Sequence, residues 1–135
     1  MLLGPAHAGG VKNVVINAVT LDDSPTEVTS DDLTVFGFDK LGFFVNYDET
    51  EVGGGVSVEI DVEFSSDGTN WVDGSFYDLA GGATIQTSEV ISADGDYFAW
   101  FGDTWTIPYI RITAAGTGVD TDDVAVISVT LVGHK

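Results

Sequence analysis

Asp120, Asp122 and Asp123 place three carboxylates within four residues of a turn, and a hard cation such as Ca2+ or Mg2+ takes oxygen ligands from loops of that kind. The spacing is not that of an EF-hand. The simpler use of such a run is a solvated turn, in which Asp side chains accept hydrogen bonds from the local backbone. Further acids come as neighbours in Asp22-Asp23, Asp31-Asp32 and Asp94-Gly95-Asp96. A glycosidase needs two carboxyls facing each other across a cleft, one with a raised pKa, and nothing singles out such a pair. The histidines, His7 and His134, lie in the two terminal segments, which offer no rigid frame for a Ser-His-Asp base. With no cysteine in the chain, thiolate chemistry and a disulfide framework are excluded. No catalytic residue and no organic cofactor are expected. A structural Ca2+ or Mg2+ on Asp120, Asp122 and Asp123 is the one ion the spacing suggests.

The residues suited to binding are aromatic. Tyr97, Phe98, Trp100, Phe101, Trp105 and Tyr109 crowd a short stretch. Period-two alternation puts Tyr97, Ala99 and Phe101 on one face of a strand and Phe98 and Trp100 on the other. One aromatic group therefore turns away from the main core, toward an interface or a sugar-stacking platform. The interface reading is favoured. Arg111, the sole arginine, sits between Ile110 and Ile112. It points away from their face, and in so acidic a chain it should meet a carboxylate.

These residues must be held by strands. Val56, Val58, Ile60, Val62 and Phe64 alternate with Ser57, Glu59, Asp61, Glu63 and Ser65, which marks a half-buried strand. Asp67-Gly68 then makes a turn and Trp71 restarts an apolar run. Other strand signals cover Val14 to Leu21, Thr26 to Ser30, Leu33 to Phe38, Leu41 to Tyr47, Ser75 to Leu79, Ala83 to Ile91, Ile107 to Thr113 and Asp123 to Val132. Leu33 to Phe38 and Leu41 to Tyr47 flank Asp39-Lys40 and read as a hairpin or one kinked strand. The pattern predicts an all-β, antiparallel β-sandwich or jelly roll of about eight to ten short strands. Residues 1–10 read as an N-terminal arm, with Leu2 and Leu3 suited to docking on a neighbour, and residues 11–135 as a single sandwich domain. In the last strand Ala125, Ile127, Val129 and Leu131 form the core face. Val124, Val126 and Val132 sit opposite, a second apolar face that needs cover from another layer or another copy.

Charge excludes several partners. Four basic residues face 22 acidic ones, for a net charge of −18. That surface repels nucleic-acid phosphate and disfavours anionic membranes. Self-repulsion of this size must be screened by salt, cations or a basic partner. Glu59, Asp61 and Glu63 stack about 7 Å apart along one sheet face, so the strand that defines the fold also carries the demand for screening.

Three segments together carry a family resemblance: Ser65-Ser66-Asp67-Gly68-Thr69-Asn70-Trp71, Pro108-Tyr109-Ile110-Arg111-Ile112, and Val126 to Gly133. In this order, after a long alternating strand, they resemble the small β-sandwich structural proteins of tailed viruses that decorate capsids or build head and tail accessories. The resemblance covers roughly residues 33–135. The Asp-Gly-x-Asn-Trp hairpin also occurs in discoidin-like carbohydrate- or lipid-binding sandwiches, from which this chain departs in lacking a cysteine pair and a basic ligand face. The virion resemblance implies a non-enzymatic capsid decoration or turret component on the particle exterior. It would bind the major capsid protein or other virion proteins and oligomerise with sibling copies, often as trimers. The Asp-rich balance extends this to a virus of a salt-loving host. Trp100, Trp105, Arg111, Val126, Leu2 and Leu3 are the expected interface residues. The alternative is a carbohydrate-binding module of a receptor-binding or cell-surface protein, with its platform around Trp100 and Trp105.

Overall fold

A computed structural model describes residues 10–80, 82–103 and 107–134. Its strands are β1 (Gly10–Leu21), β2 (Glu27–Thr29), β3 (Leu33–Thr34), β4 (Lys40–Thr50), β5 (Ser57–Ser65), β6 (Val72–Asp73), β7 (Phe76–Tyr77), β8 (Ile85–Gln86), β9 (Ser88–Ile91), β10 (Gly95–Asp103), β11 (Tyr109–Thr117) and β12 (Val124–His134). Sheet I runs β1-β12-β4-β10. Sheet II has β11 and β5 at its centre. One edge is shared by β2 and β3, both on β11, and the other by β6 and β9, both on β5. A four-stranded layer thus faces a six-stranded one whose edge positions are each shared by two short strands, and every pairing between named strands is antiparallel. The all-β sandwich expected from alternation is the architecture found.

The core is built from one parity of each long strand. Sheet I contributes Leu41, Phe43, Val45, Tyr47, Ala99, Phe101, Ala125, Ile127, Val129 and Leu131, and sheet II contributes Val58, Ile60, Val62, Ile110, Ile112 and Ala114, all buried. Phe43 is the centre of the aromatic packing, 5.4 Å from Phe76 edge-on and 5.1 Å from Phe101. The Asp67-Gly68 turn forms as expected. Gly68 takes a φ of +78°, a region that costs glycine little. Asp67 Oδ1 accepts from the N–H groups of Thr69 and Asn70. Those bonds hold its carboxyl well below the usual range, Asn70 first.

Pairing differs from local expectation around Asp39-Lys40. Leu33 to Phe38 and Leu41 to Tyr47 neither form a hairpin nor continue as one strand. Only Leu33 and Thr34 are extended, on β11, whereas β4 pairs with β12 and β10 in the other sheet. Asp39-Lys40 is therefore a crossover between layers. Trp71 likewise opens only a two-residue strand, and the stretch Ala83 to Ile91 splits into β8 and β9.

Both edges of sheet I are modified. β1 has register shifts between Val14 and Ile16 and between Ile16 and Val19. Ala18 there has a φ of +48°, and its N–H donates to Ser128 Oγ at 2.9 Å. On the far edge Ala80 bridges to Phe98 of β10.

Ser30 joins β2 to β3. Its N–H donates to the Ile112 carbonyl, and its hydroxyl accepts from Ile112 N–H at 2.9 Å. A side-chain oxygen thus stands in for a ladder carbonyl at a residue only 7% exposed. Ser30→Ala should strand the Ile112 donor in the core and lower unfolding free energy by about 1–3 kcal/mol, readable by urea denaturation.

Candidate functional site

The two outer faces of the sandwich have opposite chemistry. On sheet I the register sets Lys12, Val132, Gly42 and Trp100 side by side across four strands. The next row is Val14, Thr130, Phe44 and Phe98. Trp100 and Phe44 are each 48% exposed and Val14 is 44% exposed. Phe98 packs 4.6 Å from Phe44 and 4.8 Å, edge-on, from Trp100. Gly42 lets the Phe98 ring lie down on the sheet, since a Cβ there would fall 2.8 Å from that ring and 2.8 Å from the Ala99 carbonyl oxygen. Other exposed apolar side chains, such as Val52, Ile85 and Val90, belong to other loops and short strands. On sheet I they are neighbours, and a contiguous apolar patch of this kind marks an interaction surface.

This face is graded along its strands. At one end His134 pairs with Lys40, and Lys12 lies in the adjoining row. Asp103 is opposite Lys40 in the backbone register. At the other end Asp96 pairs with Asn46, whose Nδ2 donates to it at 2.7 Å, and Asp48 pairs with Val126. Lys12, Lys40, Asp48 and Asp96 are all exposed.

Sheet II presents acids. Glu59, Asp61 and Glu63 stand on β5, with Asp73 opposite Glu63 and Glu27 opposite Ala115. With Thr29, Thr113 and Arg111, four of these acids (Glu27, Asp61, Glu63 and Asp73) line a shallow groove. Arg111 meets its expected carboxylate: Nε is 2.9 Å and Nη2 3.2 Å from the two Glu63 oxygens. Trp71 stacks over the guanidinium, 4.3 Å from ring centroid to carbon. Asp61 is pushed above the ordinary range by burial first, then by Glu59, Asp73 and Glu63.

The remaining expected site residues are dispersed. Asp120 Oδ1 accepts from Asp122 and Asp123 N–H at 2.8 Å each, which holds its carboxyl below the usual range. Asp123 turns the other way, accepting from the N–H groups of Val52 and Gly53 and so tying the β4–β5 loop to the start of β12. These carboxylates serve backbone groups, and among the described residues no three metal-ligating side chains converge. Trp100 and Val126 are on the outer face of sheet I, and Arg111 is on that of sheet II. Leu2, Leu3 and Trp105 lie outside the described residues. Sequence reasoning missed Phe44, Val14, Lys12 and Lys40. The signal for Phe44 was present, because Phe43-Phe44 must send one ring to each side of β4.

No family model matches the chain, and no curated protein matches it in sequence. Among solved structures it is similar to the SPBc2 prophage-derived protein YomS, at a TM-score of 0.65 and 13% identity over 93% of each chain. It aligns more loosely with the CBM22-1–GH10 modules of Clostridium thermocellum endo-1,4-β-D-xylanase 10B, at a TM-score of 0.43 and 10% identity over 94% of this chain and 26% of that one. A chain of the infectious bursal disease virus Gx strain aligns at a TM-score of 0.41 and 13% identity, over 93% of this chain and 32% of that one. The YomS likeness is one of β-sandwich fold.

Two outcomes are expected on sheet II. Arg111→Ala should cost about 1–2 kcal/mol, from a half-exposed bidentate pair plus the Trp71 stack. Arg111→Lys should recover little of it, because an ammonium cannot fork onto Glu63. Asp61 holds its proton more tightly folded than unfolded, so its ionisation opposes folding above the raised pKa. That penalty vanishes below the unfolded value of about 4. Asp61→Asn should therefore raise the melting temperature at pH 7, lose the advantage as pH falls below about 4, and reduce the gain that added salt gives the native chain.

Proposed function

We propose that this protein is a non-enzymatic structural component of a virus or prophage particle, of the capsid decoration or turret type. The observation that carries the proposal is the apolar, aromatic outer face of sheet I on a chain of net charge −18. Exposed Trp and Phe work against solubility, and burying them against another protein is the favourable use. The partners are shell proteins and sibling copies. The acidic face of sheet II turns to solvent, and concentrated salt, as in a halophilic host, screens it. Many small contacts on a closed shell add up through avidity without a strong single interface.

The fold shared with a prophage-derived protein supports this assignment. The carbohydrate-binding alternative has less behind it. Phe98 and Trp100 meet at 89°, and Phe44 is tilted 45° to Phe98, so these rings form no flat platform for a pyranose.

Immunogold electron microscopy of particles from the producing culture tests the reading, using antibody to this protein. Regular labelling of the particle surface is expected. Unlabelled particles, with the protein confined to the soluble cell fraction, would overturn it. Glycan-array binding abolished by Trp100→Ala would move the protein to the carbohydrate-binding class.

A further inference from the structure

We infer that the chain pairs with a second copy of itself, outer face of sheet I against outer face of sheet I, about a two-fold axis that lies in the interface and crosses the strands. The inference deepens the reading of that face as adhesive and names its occupant. It does not depend on a particle.

Along β4 the outer face runs from a cation through an aromatic ring to a carboxylate. Phe44 stands midway between Lys40 and Asp48, and all three project from the outer face and are exposed. Phe44 and Phe98 lie in the middle row of the sheet, Lys12, Lys40 and His134 lie toward one end, where Asp103 is in register with Lys40, and Asp48 and Asp96 lie toward the other. A two-fold axis through the middle row, running across the strands, keeps each strand over its own counterpart and reverses its ends. Phe44 and Phe98 then meet their own copies. Lys40 of each chain lies over Asp48 of the other, and this contact occurs twice. An axis along the strands through the middle of the sheet reverses the strand order instead, so it lays Lys40 over His134 and Asp48 over Val126 and makes no Lys40–Asp48 contact. The face is self-complementary in one orientation, which is the condition for an isologous dimer.

Other occupants fit less well. Stacking sheet I of one copy on sheet II of the next would press Asp48 and Asp96 toward the face of Glu59, Asp61, Glu63 and Asp73, and such a head-to-tail contact does not close. A strongly basic partner would meet the lysine end unfavourably, and an acidic one the aspartate end. Size agrees as well. Four strands at about 4.8 Å and five rows at about 6.8 Å give a face of roughly 650 Å² per copy, or about 1,300 Å² in all. That is the lower end for specific association, so pairing is expected at high protein concentration.

Sedimentation equilibrium and native mass spectrometry of the purified full chain test the inference. The native chain should reach a two-copy mass. Lys40→Glu and Asp48→Lys should each weaken homodimers about tenfold or more, because each sets like charges together at both contacts. Mixing the two variants should give heterodimers at native strength, since both contacts are then between opposite charges. The double variant Lys40→Glu/Asp48→Lys should recover homodimers. Circular dichroism checks that these exposed substitutions leave the sandwich folded. A monomer at millimolar concentration, a three-copy mass, or single variants that pair like the native chain would each overturn the inference. Failure here and failure of the virion reading are separable. A monomeric chain whose particle labelling is lost in Phe44→Ser refutes self-pairing and retains the virion role. Dimers that obey the charge exchange, beside unlabelled particles, do the reverse.

Discussion

The interior between the two sheets is the constraint from which the rest follows. Phe43 fills its middle and touches Phe76 and Phe101, and around it one parity of each long strand is buried. Because side chains alternate strictly along a strand, committing that parity inward commits the other outward with no further choice. Phe44, Phe98 and Trp100 are on the surface because Phe43, Ala99 and Phe101 are not. A one-residue slip of β4 would exchange the two sets and send Asn46 and Asp48 into the core.

The outward parities then divide labour. Sheet II takes Glu59, Asp61 and Glu63 on a single strand and offsets them with one guanidinium held between Glu63 and Trp71. Sheet I sets Asp48 and Asp96 toward one end and Lys12 and Lys40 toward the other, and leaves its middle apolar. On the acidic face Glu59, Asp73 and Glu63 add to the burial that raises Asp61. Segregating charge in this way leaves the other face able to make contacts that a uniformly acidic surface would repel.

Much of this was legible along the chain, and what escaped was non-local. The alternation of Val56 to Phe64, the Asp67-Gly68 turn, the inward set of β12 and the carboxylate partner of Arg111 all follow from local chemistry. The partner of β4 does not. Leu33 to Phe38 looks like its hairpin mate by proximity, yet β4 lies between β12 and β10 because its apolar parity matches theirs across sheet I. The outer patch escaped for the same reason. Trp100, Phe44, Val14 and Val132 come from four strands, and only the register makes them neighbours. In the Asp120 to Asp123 run the local use, Asp120 accepting from the backbone of its own turn, was legible, whereas the reach of Asp123 to Val52 and Gly53 was not.

The treatment of the edges of sheet I bears on how this protein can fail. A sheet with an apolar face and open edges can grow by strand addition as well as stack, and the combination of the two is the geometry of a fibril. Here β1 is bulged twice, with Ala18 in a left-handed conformation, and β10 is met by the bridge from Ala80. Both edges are poor templates for another strand. The chain can thereby expose aromatic rings while growth into cross-β aggregates is obstructed at the step where it would begin.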